Sequence, residues 1–223
     1  MEAVAGLVPP TECLADIGTD HALLPIHLVK HGVVSRVIAV EKAVGPAAAA
    51  RRAVAAAGLE DRIEVRRGEG LGPLAAGEAG AIVLAGMGGQ TIADILAAGT
   101  AVARAAGLIV VQPMNRIAFL RRWLVQNGWV IRAEALAAEK GRLYQVVAAA
   151  PGSSRKQLNW LEEELGPCLL ASRPPFFKEL VGKVLRRYEQ EFTGLAGARE
   201  GGAADRRAEL AQRLEELRGL LKR

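Results

Sequence analysis

Cysteine and aromatic side chains are scarce in this chain of 223 residues, which holds two Cys, three Trp, two Tyr and four Phe. Cys13 and Cys168 lie far apart in no ligand spacing, so the sequence offers neither a disulfide framework nor a C-x-x-C metal site. It lacks a run approaching the roughly 18 consecutive apolar residues that span a bilayer, and Met1 to Pro10 has no basic start of a secretion signal. These absences lead to the expectation of a cytoplasmic monomer with no bound metal, no membrane contact and no obligate protein partner. Lysine is also rare, seven of 29 basic residues, and an Arg-rich balance reflects genome composition as readily as phosphate binding.

The 29 basic residues exceed the 24 acidic ones by five, which is compatible with a polyanionic partner. That excess is not concentrated: residues 155–223 carry 14 basic and 11 acidic side chains, leaving 15 and 13 for the rest. Arg186-Arg187 and Arg206-Arg207 are the places to look for a phosphate-facing stripe. A hydrophobic fraction of 51% excludes global disorder, and the 25 Gly and 10 Pro follow no collagen-like period.

Short apolar runs recur at 13–17, 36–40, 63–67, 81–85, 108–111, 129–133 and 143–149. Helical stretches at about 22–31, 45–57, 89–98 and 117–127 separate the earlier ones, which predicts a parallel sheet covered on both faces. The last two runs are joined by Glu139-Lys140-Gly141-Arg142, with no room for a crossover helix, and should pair antiparallel. A parallel sheet ending in an antiparallel hairpin is the arrangement of Rossmann-like methyltransferases. After Pro151-Gly152 apolar residues fall at helical spacing in Phe177, Val181, Val184, Leu185, Tyr188 and Phe192, and again in Leu210, Leu214, Leu217 and Leu221. The glycine-rich stretch 194–202 between them can reverse the chain, giving a helical hairpin of coiled-coil type. The expected organisation is an α/β domain over 1–152 and a helical coiled-coil domain over 153–223.

In a doubly wound sheet the ligand lies beyond the carboxyl end of the first strand. Here that loop is Asp16-Ile17-Gly18-Thr19-Asp20-His21. A pyrophosphate needs the bare backbone of G-x-G-x-x-G, whereas this loop has one glycine and two carboxylates. Asp16 and Asp20 attract a ligand carrying an ammonium and a sulfonium, as S-adenosylmethionine does. Glu41 ends the second strand, where a carboxylate accepts from ribose hydroxyls, and Glu69 follows the third, where it can accept from an adenine amino group. The fourth strand ends in Ala85-Gly86-Met87-Gly88-Gly89 and the fifth in Gln112-Pro113-Met114-Asn115, which present backbone groups and side-chain amides to a target base.

Together, the segments D-I-G-T-D-H-A-L-L-P from Asp16, G-E-G-L from Gly68, A-G-M-G-G from Ala85 and Gln112-Pro113 resemble the bacterial tRNA (adenine22-N1)-methyltransferases of the TrmK type. The likeness runs from about Leu14 to Ala150, and the helical C-terminal region also looks like that family's. The resemblance implies a Rossmann-like class I methyltransferase fold, S-adenosyl-L-methionine as cofactor, tRNA as partner and methylation of N1 of adenine 22 in the D-arm. Its implied cofactor-binding residues are Asp16, Gly18, Asp20, His21, Glu41, Lys42, Gly68, Glu69, Gly70, Ala85, Gly86 and Met87. The implied catalytic set is Gly86, Met87, Gly88, Asn115 and His21. Members usually carry a longer basic segment before the first strand, whereas about a dozen residues without Lys or Arg precede it here, so RNA binding would lean on the body and the helices.

Two other readings compete with this one. A nicotinamide-dependent oxidoreductase is disfavoured by the missing glycines and the terminal hairpin. A non-catalytic RNA-binding or adaptor protein on the same fold should have lost the acidic cofactor contacts, and here all are present. Among the aromatics, Trp123 and Trp129 are expected in the core and Trp160 as an exposed contact.

Overall fold

The structure, a computed structural model, describes residues 1–153, 157–195 and 203–222. Seven strands form one sheet: β1 (Thr11–Ile17), β2 (Val34–Glu41), β3 (Ile63–Arg67), β4 (Ala81–Met87), β5 (Leu108–Pro113), β6 (Trp129–Glu139) and β7 (Arg142–Pro151). Their order is β3-β2-β1-β4-β5-β7-β6. The first five run parallel, while β7 is antiparallel to both β5 and β6. Lys140 and Gly141, at φ 49° and 73°, make the two-residue turn between β6 and β7, and the two left-handed residues match the twist of the strands they join.

The sheet is buried on both faces because its apolar runs have side chains alternating between them. Ala15, Ile17, Ile38, Val40, Ile82, Leu84, Ile109 and Val111 point to one core, and Leu14, Val37, Ala39, Val83 and Val110 to the other. Helices α4 (Gly89–Ala98), α5 (Thr100–Ala105) and α6 (Ile117–Gln126) cover the first face through Ile92, Leu96, Ala103, Leu120 and Leu124. Helices α1 (Glu2–Ala5), α2 (Leu23–Lys30) and α3 (Val44–Ala56) cover the second through Val4, Leu28, Val29, Ala50 and Val54.

A third core lies among α7 (Trp160–Leu165), α8 (Pro167–Ser172), α9 (Phe177–Gly194) and α10 (Ala203–Lys222). Leu210, Leu214 and Leu217 are its contribution from α10, and Leu136 and Leu143 of the β6–β7 hairpin pack against it. Helices α9 and α10 meet through Arg206–Glu191, Arg213–Tyr188 and Arg218–Glu189. Of the stretch expected to reverse the chain, residues 196–202 lie outside the described residues. Strand β6 runs to Glu139, beyond the expected end at 133, because the distal half of the hairpin serves this third core through Leu136 and Leu143, while β7 runs to Pro151 at the opposite end, where it pairs with Trp129.

A buried ion pair fastens the third core to the sheet, beside the more exposed pair of Arg122 on α6 with Glu163 on α7. Arg121 of α6 and Glu134 of β6 are fully buried, with Nε and Oε1 2.7 Å apart. Arg121 Nη1 donates to the carbonyls of Glu163 and Glu164 at the end of α7, and Glu134 Oε2 accepts from the backbone N–H of Cys168 at the start of α8. Each charge therefore faces the helix end it complements. Gly166, at φ 93°, joins the two helices where a Cβ would lie 2.7 Å from Arg121 Nη2.

Candidate active site

The strand order reverses between β1 and β4, and a crevice opens there at their carboxyl ends. Three left-handed residues, Gly18, Asp20 and Ala22, bend the chain sharply out of β1 before α2 begins. The backbone N–H groups of Gly18 and Thr19 both donate to Val40 O, which pins this turn to the end of β2. Gly18 takes φ 75°, a conformation strained for any residue with a Cβ, and a Cβ there would also displace the tip of the Met87 side chain.

The cleft has a volume of about 790 Å³. Gly18, Glu41, Lys42, Gly68, Glu69, Gly70 and Met87 line it, so the structure brings these seven sequence-predicted residues together. Glu41 Oε1 accepts from the Ala43 N–H at 2.8 Å, and its Oε2 accepts from the Asp20 N–H at 3.4 Å. Lys42 Nζ donates to Glu69 Oε1 at 2.7 Å, bridging the ends of β2 and β3 across the exposed rim. Asp16 lies beneath the loop, 5% exposed, and burial pushes its carboxyl up to about 6, opposed only in part by the Thr19 hydroxyl. Thr19 Oγ1 is itself buried without a hydrogen bond of ordinary geometry. Neither Asp16 nor Thr19 lines the cleft; both are buried next to the lining residues Ile17 and Gly18, where a carboxylate and a hydroxyl without an ordinary hydrogen bond form a pair that a cation would satisfy.

Other expected residues fall at the margin. Asp20 and His21 are exposed, their side chains 3.6 Å apart, and neither lines the cleft; His21 precedes Ala22, the cap of α2, rather than opening the helix. Ala85 and Gly86 are also outside the lining. Gly86, at φ 76°, is a bulge that carries β4 past Ala85 to Met87 and re-aims that side chain. Its N–H donates to Gln112 Oε1, so the buried Gln112 amide is spent on holding the bulge rather than offered to a base.

The β4–α4 and β5–α6 turns are tied together. Met114 N donates to Met87 O at 2.7 Å and Gly89 N to Asn115 O at 3.3 Å, with Asn115 Oδ1 also within 3.4 Å of Gly89 N. Gly88 caps α4, and a Cβ on Gly89 would sit 2.9 Å from the carbonyl oxygens of Asn115 and Arg116. Asn115 is exposed beside this junction. Trp129 is buried and Trp123 packs partly against the first core, whereas Trp160 corrects the expectation of an exposed contact: its ring meets Tyr188 edge-on and lies under Arg213 in the third core.

Sequence reasoning missed the far wall of the cleft, made by Leu71, Thr91, Asp94, Ile95, Ala98 and Val102. Thr91, Asp94, Ile95 and Ala98 share one face of α4 at helical spacing. That periodicity was available as a signal, but it does not say whether the face meets a ligand or the core.

Comparison with known proteins agrees with this geometry. Residues 1–147 match the methyltransferase domain family. The tRNA (adenine(22)-N(1))-methyltransferase of Bacillus subtilis is 34% identical over 191 residues, covering 86% of this chain and 79% of the relative. This chain belongs to the tRNA (adenine(22)-N(1))-methyltransferase family. The crystal structure of the B. subtilis m1A22 tRNA methyltransferase TrmK superposes with a TM-score of 0.87 at 31% identity, covering 99% of this chain and 96% of that one. Streptococcus pneumoniae Sp1610, solved in complex with S-adenosyl-L-methionine, superposes with a TM-score of 0.85 at 31% identity, covering 99% and 97%. Among the described residues, no helix is long and apolar enough to cross a membrane.

Proposed function

We propose that this protein methylates N1 of an adenine in tRNA, adenine 22 of the D-arm, with S-adenosyl-L-methionine as donor. The observation that carries the reading is the buried Asp16 beside the unsatisfied Thr19 hydroxyl, at the switch point of a chain with this family membership. When bound, S-adenosyl-L-methionine supplies an activated methyl group on a sulfonium.

Asp16 and Thr19 hold the ammonium end, Glu41 accepts from the ribose hydroxyls and Glu69 from the adenine amino group. Gly18, Gly68 and Gly70 let backbone approach the cofactor, and Lys42 keeps the β2 and β3 rims together. Asp20 and His21 close the cleft's edge, and Ala85, Gly86 and Met87 form the wall between cofactor and base. Adenine N1 has an in-plane lone pair and no proton at neutral pH, so no side chain has to act as a base before transfer. The protein's contribution is positioning and electrostatic stabilisation. The adenine amino group has two protons to donate as positive charge builds on the ring, and the acceptors are drawn from the carbonyls of Gly86, Met87 and Gly88 and the Asn115 amide oxygen, of which Met87 O and Gly88 O already accept from Met114 N and Ile92 N. Exposing the Watson-Crick edge requires extrusion of the nucleotide from the folded D-arm.

Residues 153–223 are assigned as a second, helical domain in which α9 and α10 act as a coiled-coil pair contacting the tRNA, and residues 1–152 as the methyltransferase domain. The interhelical ion pairs and the separate third core support this division. The protein is assigned to the cytoplasm, where its tRNA is found, and to a monomeric state. Asp16→Asn and Glu41→Gln should each weaken cofactor affinity about tenfold or more, as loss of hydrogen bonds to charged groups does; unchanged calorimetric affinity in both would refute the site.

A further inference from the structure

A second cavity, of about 460 Å³, lies between the β5–α6 turn and α9, within the size range of nucleotide-sized ligand sites. It shares no lining residue with the 790 Å³ cleft, yet Met114 and Asn115 form one of its walls. Those residues are hydrogen-bonded to Met87 and Gly89, so the A-G-M-G-G turn separates the two spaces. Met114, 50% exposed, and the partly buried Ile117 and Leu143 give the cavity apolar surface, and Arg116, Lys183 and Arg187 give it charge.

The three cations are not equivalent. Arg187 is neutralised by Glu164, its Nη2 2.6 Å from the carboxylate. Arg116 donates to the neutral Gln90 side chain. Lys183 has no carboxylate partner among the described residues. Two uncompensated positive charges beside apolar surface suit a ligand that is anionic at one end and planar or apolar at the other.

The opposing wall is held at a fixed distance. Glu164 accepts from Tyr188 Oη on α9 at 3.0 Å, while its backbone carbonyl accepts from the buried Arg121. The gap therefore cannot close by collapse of α9 onto the turn without breaking this chain of bonds.

Resting on the proposed function, we infer that this cavity is a subsite for the RNA strand next to the target adenine. A flanking nucleotide lies against Met114, with its phosphate on Lys183 and Arg116. Lys183 is thus a substrate-positioning residue on α9, working beside the methyl-transfer turn rather than in it.

The test compares Lys183→Glu, Lys183→Arg and Lys30→Glu in the full-length protein, using an unmodified tRNA transcript. Lys30 ends α2, at the opposite edge of the sheet, and its reversal changes net charge equally. Lys183→Glu should weaken transcript binding about tenfold and raise KM similarly, leave kcat and calorimetric cofactor affinity near wild type, and flatten the salt dependence of binding by a slope of about one. Lys183→Arg should restore binding, and Lys30→Glu should leave it near wild type. Equal effects of Lys183→Glu and Lys30→Glu would overturn the subsite. Binding is read separately from transfer, so a wild-type protein that binds the transcript without methylating it contradicts the proposed function and leaves the Lys183 comparison decisive.

Discussion

Burial holds the Asp16 carboxyl at about 6, against an ordinary value of 3.8. Because the folded value is raised, the contribution of this group to stability is full below pH 3.8 and lost as pH rises through about 6. At one pKa unit per 1.36 kcal/mol, ionised Asp16 destabilises the ligand-free protein by about 3 kcal/mol at neutral pH. Asp16→Asn should therefore raise the denaturation midpoint of the ligand-free protein at pH 7.5 and gain nothing near pH 3.5, an outcome read by urea titration at both pH values. An equal gain at both would contradict the titration argument. The same carboxylate must be charged to hold a cation, so cofactor affinity in the wild type should fall as pH drops below about 6, checked by calorimetry across pH 5 to 8. The carboxylates Asp16, Glu41 and Glu69 were available as candidates because Asp16 lies within the first apolar run and Glu41 and Glu69 follow the second and third. Thr19 was not, since nothing in sequence says that a hydroxyl will be buried without a partner.

Two close approaches between elements carry the site. At Gly89 the β4–α4 turn touches the backbone of Asn115 and Arg116, and the Cβ of Gly89→Ala, 2.9 Å from both carbonyl oxygens, would force the two turns apart. Methyl transfer should fall sharply while cofactor binding persists, since the cleft lies on the other side of Met87; intact transfer in that variant would remove the junction from the mechanism. At Arg121–Glu134, replacing Arg121 by Met leaves a buried carboxylate unpaired and should cost about 3–5 kcal/mol of unfolding free energy. Adding Glu134→Leu should recover only part of it, because the carbonyls ending α7 and the N–H groups starting α8 remain without partners; a cost near zero for the single variant would show that the pair is not the fastening. The strands were legible as apolar runs because both faces of the sheet are buried. Helix α5 was not, as Thr100–Ala105 has neither a side-chain cap nor a periodic stripe long enough to register. Helices α7 and α8 had signals that went unread: Asn159 and Glu162 form a capping box, and Pro167 opens α8.

At the scale of the whole molecule, the sheet and the C-terminal helices are bound through a shared buried ion pair and through Leu136 and Leu143, so the proposed division near residue 152 is not a loose joint. A protein ending at Gly152 would uncover both features. It should unfold at lower temperature, keep cofactor binding and lose tRNA affinity; tRNA binding as tight as that of the full chain would remove the helices from recognition. The net charge of +5, spread along the chain, identifies no partner; the proposed cofactor end rests instead on the minority of acidic residues, and the proposed RNA subsite on Lys183. The most direct measurement of the central claim is incubation of unmodified tRNA transcripts with methyl-labelled S-adenosyl-L-methionine and the full-length protein, followed by mapping of the modified position. The account predicts label at N1 of adenine 22, abolished when that adenine is replaced; label on another base, on protein, or on no RNA at all would contradict it.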